Sequence, residues 1–394
     1  MTAGSAREVF ATFLTLGLTS FGGPIAHLGF FHRELVERRQ WVTESQYAQL
    51  LALCQFLPGP ASSQLGFALG LQRAGWTGAI AAFLAFTLPS ALLLFGFAAL
   101  LPKMSGPIGT AAIHGLKLVA LSVVAHGVMT MATKLCPDAR RAGIATAAAV
   151  IILLSGEAWV QVLAVVLGGI AGLYLCREMK PTPGGELSLP HGPRTGWILL
   201  AAFFLLLLGL PLLANTGAVF AHFEAFYRAG ALVFGGGHVV LPLLEESLVG
   251  AGWISADDFL AGYGAAQAVP GPMFSLSAYL GARMPGADGG LTGASVALAA
   301  MFLPGFLLLS GILPLWRVLS QYAAAARAIA GVNAAVVGLL GAALYDPVWT
   351  SAVYQPVHVA IALVGFTMIS AYRLSVIYVV AWCVLANIVH TLLL

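Results

Sequence analysis

Two stretches, Gln55-Phe56-Leu57-Pro58-Gly59-Pro60 and Gln267-Ala268-Val269-Pro270-Gly271-Pro272, interrupt apolar sequence that would otherwise run on as helix. Proline removes a backbone donor and clashes with the preceding turn, and the residue before a proline is driven out of the α region. A helix arriving at Gln55 is therefore expected to end near Leu57. A second is expected to begin at Pro60, because proline suits the first helical position. Two half-helices then meet at an unwound Pro-Gly-Pro, with free N–H groups of the second directed into the gap. In water that would be a turn. In a membrane, non-helical backbone is tolerated only where protein or a cavity surrounds it, so here it reads as a binding site.

The composition around the gaps is that of a membrane protein. Of 394 residues, 60% are hydrophobic and 8% charged, against about 25% charged in a soluble domain. Apolar runs long enough to cross a bilayer recur from end to end. A net charge of +3 gives no nucleic-acid footprint. Cys54, Cys136, Cys176 and Cys383 lack metal-ligand spacing and read as small buried apolar residues, so neither a metal nor a cofactor is expected. The first apolar run carries no clear small-x-small cleavage site and reads as a retained helix. There is no Gly-x4-Gly-Lys-Ser/Thr, which argues against ATP hydrolysis by that machinery. There is also no His-Glu-x-x-His and no paired Asp motif within a span, which argues against a membrane-embedded enzyme.

The gaps belong to a larger repeat. In the first half, an apolar helix at 8–20 breaks at Phe21-Gly22-Gly23-Pro24, and an amphipathic helix at 25–39 follows with Trp41 at its end. Thr43-Glu44-Ser45-Gln46 reads as a capping box for the helix that enters the first Pro-Gly-Pro. A half-helix at 61–73 and spans near 76–101, 108–134, 140–156 and 157–176 come next. After a polar linker at 177–195 the plan restarts: helices at 196–214 and 217–233, a break at Phe234-Gly235-Gly236-Gly237-His238, Trp253, and a helix capped at Ser255 that enters the second Pro-Gly-Pro. Spans near 290–312, 320–345, 349–370 and 373–393 complete the chain. Trp41 and Trp253, Gln55 and Gln267, and Pro58 and Pro270 are each 212 residues apart, and Phe21 and Phe234 are 213 apart. The expected architecture is all-α and polytopic: ten to thirteen hydrophobic segments in two homologous repeats, 1–176 and 196–394. Arg33, Arg38 and Arg39 follow the first Gly-rich break, whereas Glu245 and Glu246 follow the second. Cytoplasmic ends collect Lys and Arg, so the repeats are expected to be inverted.

Two sets of motifs carry a family resemblance. Phe21-Gly22-Gly23-Pro24-Ile25-Ala26-His27, Arg38-Arg39-Gln40-Trp41 and Leu57-Pro58-Gly59-Pro60 resemble the N-terminal half of the chromate ion transporter family. Phe234-Gly235-Gly236-Gly237-His238-Val239-Val240-Leu241-Pro242 and the run Gly262 to Pro272 resemble its C-terminal half. The resemblance covers nearly the whole chain. It implies a multi-pass carrier of the bacterial inner membrane that confers resistance by chromate efflux. Sulfate has the same shape and charge, so the native anion stays open. A homodimer and a coupling proton stay open as well, and a passive anion channel is the alternative within transport.

A tetrahedral dianion needs several N–H or O–H donors and positive potential around a small cavity. Half-helix N-termini supply both. Four such starts occur, after Gly22-Gly23 with Pro24, after Gly235-Gly236-Gly237, at Pro58-Gly59-Pro60 and at Pro270-Gly271-Pro272. Tight helix crossing is the alternative use of these glycines. Gln55 and Gln267 end the entering half-helices, where an amide can hold the anion or satisfy orphan carbonyls. Ser62, Gln64 and Ser275 are weaker candidates, since hydroxyls in membrane helices often bond back to their own backbone. Lys117 lies mid-span, with Asn333 as its repeat partner, and an intramembrane charge is a functional candidate by default. Arg228 offers a guanidinium fork near the second break, unless Glu224 one turn earlier neutralises it. His238 and His27 sit where a titrating ring would bind the anion or relay a proton. Glu34, Glu37, Arg38 and Arg39 read as a solvated ion-pair cluster, and Asp257-Asp258 as helix caps.

Overall fold

The computed structural model describes residues 4–21, 23–104, 106–155, 158–178, 191–234, 239–286, 289–316 and 322–393. Gly22, Gly235, Gly236, Gly237, His238 and most of the polar linker lie outside those residues. Among the described residues every regular element is helical. In the first repeat these are α1 (Ala6–Thr19), α2 (Gly23–Phe31), α3 (Glu44–Phe56), α4 (Ala61–Leu100), α5 (Pro107–Leu135), α6 (Ala139–Ser155) and α7 (Ala158–Leu175). In the second they are α8 (Pro193–Leu213), α9 (Ala218–Leu232), α10 (Val240–Leu248), α11 (Ala256–Ala266), α12 (Leu276–Ala282), α13 (Gly290–Ile312), α14 (Ala323–Ala343), α15 (Pro356–Ser370) and α16 (Val376–Leu393).

The punctuation acts where the sequence placed it. α3 ends at Phe56 with Leu57 extended, and α4 starts directly after Pro60. Thr43 and Gln46 form the reciprocal capping box, with bonds of 3.0 and 3.2 Å. α4 is two arms, 61–73 and 76–100, because Ala74 and Gly75 (φ 64°) leave the helical region. The amphipathic segment departs from expectation, since α2 widens into a π-helical turn at His32–Arg38. The second repeat is also tighter after its Pro-Gly-Pro: a 3-10 turn at Met273–Ser275 leads into a helix only seven residues long.

Among the described residues six helices are long and apolar enough to cross a membrane, and apolar side chains such as Leu205, Leu208 and Leu212 on α8 face outward. The chain is a multi-pass membrane protein. The Gly4 N–H donates to the Arg73 carbonyl at 3.0 Å, Arg73 pairs with Glu8 at 3.1 Å, and its guanidinium lies over Trp41 at 5.3 Å. The outer ends of α1, the π turn and the first arm of α4 therefore share one end of the molecule. The corresponding ends of the second repeat lie at the other end of the molecule. There Asp257 at the start of α11 pairs with Lys117 near the start of α5, and Arg283 after α12 pairs with Asp258. The Asn387 amide near the end of α16 donates to the Ala111 carbonyl of α5 at the same end. The repeats are inverted.

They also exchange their last helices. α5 packs on α15 and α16, and α14 packs on α6 and α7, so each repeat's final pair lies against the other repeat. Glycine makes both seams. A Cβ on Gly115 would lie 2.7 Å from the Val384 Cα, and one on Gly331 would lie 2.0 Å from the Gly168 carbonyl oxygen. Small residues let helix backbones approach closely in a bilayer, where dispersion rather than the hydrophobic effect drives association.

Candidate functional site: the crossed helix breaks

Each Pro-Gly-Pro closes the broken helix of the opposite repeat. The Gly59 N–H donates to the Val233 carbonyl at 2.7 Å, and the Gly271 N–H donates to the Ser20 carbonyl at 3.0 Å. Ser20 and Val233 are the C-cap residues of helices that stop in mid-molecule, where terminal carbonyls lack intrahelical partners. Both glycine N–H groups are consumed in the clamp. Glycine is required here on two grounds. Its φ is +119° at Gly59 and +97° at Gly271, a region L side chains avoid. A Cβ would also lie 3.1 Å from the Gly305 Cα in the first case and 2.9 Å from the Ser90 Oγ in the second.

Side chains continue the same symmetry. The Gln64 amide donates to the Pro58 carbonyl at 2.9 Å and to the Gly305 carbonyl at 3.0 Å. In the mirror position the Ser275 and Ser90 hydroxyls bond at 2.7 Å. Ser90 and Gly305 each follow a within-helix proline, Pro89 and Pro304. Gln64 and Ser275, weak candidates by sequence, hold the clamp shut. His27 is wholly buried, with Nε2 3.2 Å from the Ser20 carbonyl, Nδ1 3.5 Å from the Ser62 hydroxyl and its ring edge-on to Phe86 at 5.3 Å. A carbonyl partner needs a donor, so Nε2 carries the proton and the ring braces the break from behind.

Open space lies on the other side. Gly23, at φ +77°, has no atom within 4 Å of where a Cβ would stand. Thr19 and Gln55 are exposed, and Gln267 is half-buried with only a methionine sulfur, Met273 Sδ, at 3.0 Å from its amide. Polar groups at that depth need water or a ligand, because lipid offers them no hydrogen bond.

Lys117 and Arg228 stand elsewhere. Lys117 is 4% exposed and bonded to Asp257, at the start of α11. The break at Gln267 is ten residues further on, about 15 Å along a helix. Its charge is thus neutralised across the seam between repeats. Asp258 goes to Arg283, so the two aspartates do more than cap; Ser255 alone accepts the Asp258 N–H. Arg228 pairs with Glu224 at 2.9 Å. Sequence reasoning undervalued a polar cavity of about 400 Å³ between α1 and the π turn, lined by Thr12, Thr15, Thr19, Arg33, Glu34, Arg38 and Arg39 among others. The signal was present in the threonine spacing of α1 and in the three arginines.

The same sequence profile, that of the chromate transporter family, matches twice, over residues 7–173 and 220–388. The chain belongs to the chromate transporter family. Among its relatives are a probable chromate transport protein of Synechococcus elongatus, 29% identical over 86% of this chain and 84% of that one, and the chromate transport protein of Cupriavidus metallidurans, 29% identical over 86% and 81%. The chromate transport protein of Pseudomonas aeruginosa is 26% identical over 96% of this chain and 92% of its own. No solved structure is significantly similar to it. Every landmark of the two crossed breaks lies within the two matched regions.

Proposed function

We propose that this family member is a secondary carrier of a tetrahedral oxyanion, chromate or its isostere sulfate, that binds beside the crossed breaks and exports it across a bacterial inner membrane. The observation that carries the reading is the reciprocal Gly59–Val233 and Gly271–Ser20 clamp. It brings the broken helices of two inverted repeats together, and discontinuous helices at a repeat interface are where alternating-access carriers hold their substrate. The anion would lie against Gly23, with the Gln55 and Gln267 amides as donors and the dipoles of α2 and the first arm of α4 supplying positive potential.

Orientation in the membrane is read from charge. Arg33, Arg38, Arg39, Arg73, Arg140, Arg141, Arg177, Arg194 and Arg327 gather at the end shared with α1, whereas Lys103, Lys117, Arg228 and Arg283 stand at the other. Cytoplasmic ends carry the excess of Lys and Arg, which makes the α1 end cytoplasmic. The test is labelled chromate flux in proteoliposomes, with sulfate as competitor and a pH gradient imposed or collapsed. Saturable flux that sulfate blocks supports the carrier, and acceleration by the gradient adds proton coupling. Flux that does not saturate would favour a channel, and no flux would end the proposal.

A further inference from the structure

The cavity beside α1 has a composition that the central site does not explain. Its wall holds three guanidiniums, Arg33, Arg38 and Arg39, and one carboxylate, Glu34. That carboxylate accepts from both neighbours, Arg39 Nε at 2.5 Å and Arg38 Nη1 at 3.0 Å. Burial opposes its ionisation, but hydrogen bonds and charge from Arg39 and Arg38 outweigh that and hold it below the ordinary carboxylate range. Glu34 therefore stays charged and orients the two forks, while Arg33 is exposed and has no ion-pair partner among the described residues. The wall keeps a surplus of two positive charges. Each fork has N–H groups left over, and a guanidinium plane suits an oxyanion.

The threonines run inward from the arginines. Thr12, Thr15 and Thr19 each donate to the carbonyl four residues back, at 2.8, 3.1 and 2.7 Å. Their hydrogens are spent, so they offer oxygens that solvate water, not donors that would trap an anion. The row spans Thr12 to Thr19, about 10 Å, and ends beside Ser20, whose carbonyl is clamped by Gly271. The inverted repeat lacks the feature. Thr15 is matched by Arg228, already paired with Glu224, and Arg33 by Glu245 or Glu246, depending on which landmark sets the register.

We infer that the groove between α1 and the π turn is a second anion site, a capture station where Arg33, Arg38 and Arg39 concentrate a hydrated tetrahedral dianion before it passes along the threonine row to the breaks. This rests on the oxyanion-carrier reading above. The same guanidiniums would also suit the phosphate of an anionic lipid headgroup, and the test separates the two sources.

The experiment measures initial sulfate flux against concentration in full-length protein reconstituted in zwitterionic and in anionic vesicles. Equilibrium sulfate titration of the detergent-solubilised chain runs alongside. Arg33→Glu should raise KM about tenfold at low ionic strength, with the saturated rate held within about twofold, because a focused field acts on encounter. The difference should shrink in about 0.5 M salt, where screening is short-ranged. Arg33→Lys should recover most of the loss. Arg140→Glu, a reversal at the same end outside the groove, should leave KM alone. An unchanged KM in Arg33→Glu overturns the inference, as does a change equal to that of Arg140→Glu, or one seen only in anionic vesicles. If the wild type shows no flux, sulfate binding that Arg33→Glu abolishes upholds the capture site while the carrier reading fails; no such binding overturns both.

Discussion

The groove beside α1 and the sequence-equivalent residues of α9 and α10 descend from one duplicated plan, yet they differ in charge. The first has Thr15 facing Arg33, with Arg38 and Arg39 gathered on Glu34. The second has Arg228 tied to Glu224 and two further half-buried carboxylates, Glu245 and Glu246. Deeper in, where the breaks cross, the backbone clamps of the two repeats remain equivalent. Backbone geometry at the crossing tolerates little, because positive-φ glycines and orphan carbonyls must both be satisfied. Side chains on the groove walls face water and can diverge. An inverted duplication can thus keep a symmetric hinge while giving each membrane face its own electrostatics.

The largest test is of the symmetric part. Gly59→Val and Gly271→Val should each cost about 3 kcal/mol or more, from a strained φ plus a clash with Gly305 or Ser90. Thermal unfolding and monodispersity in detergent would read this, and tolerance of one but not the other would break the equivalence. Next, Asp257→Ala strands the buried Lys117 ammonium and should cost about 1–3 kcal/mol. The double variant with Lys117→Met should recover much of that, since an apolar side chain needs no partner. The sequence-equivalent Ser45→Ala in the first repeat should be near neutral, because Asn333 replaces the lysine there. At the breaks, Gln55→Leu and Gln267→Leu should each lower saturated flux about tenfold, the effect of roughly one hydrogen bond, without shifting the unfolding temperature.

The smallest effect carries the sharpest contrast. Burial, reinforced by the charge of Asp346, raises the Glu245 carboxyl to about 7, and burial with the charge of Glu245 raises Glu246 to about 7 against the pull of Arg228. The unfolded chain releases these protons near the ordinary 4.5, so stability falls as pH rises from there through about 7. Glu245→Gln and Glu246→Gln should therefore unfold about 1–3 °C above wild type at pH ~8 and level with it at pH ~4.5. Glu34 is shifted the other way. Its contribution is present above the ordinary range and lost on acidification, so Glu34→Gln should unfold below wild type at neutral pH and converge with it in acid.

Much of the helix plan was legible because its punctuation is local. Pro58, Pro60 and Gly75 act on their own turn of backbone, and Thr43 caps through Gln46 three residues away, so boundaries fell where residue chemistry put them. The candidate site was legible only in outline. Gln55 and Gln267 do stand at break depth, but His27 turned inward to the Ser20 carbonyl and Lys117 found Asp257. A side chain's partner 140 residues away leaves no periodic trace. The π turn at His32–Arg38 was equally invisible, since it differs from α-helix by one residue per turn and aims Arg38 and Arg39 at Glu34.

The sequence by itself determined that this chain lives in a membrane, is built twice, breaks its helices in equivalent places, and reverses the charge that follows them. Those properties reside in composition, spacing and local backbone sterics. Only the tertiary structure decided that each Pro-Gly-Pro closes the other repeat's helix and that the final helix pairs are exchanged. It also decided that three arginines and three threonines wall one groove. Such outcomes depend on which orphan donor meets which orphan acceptor once the chain is packed, and that pairing is settled by three-dimensional proximity.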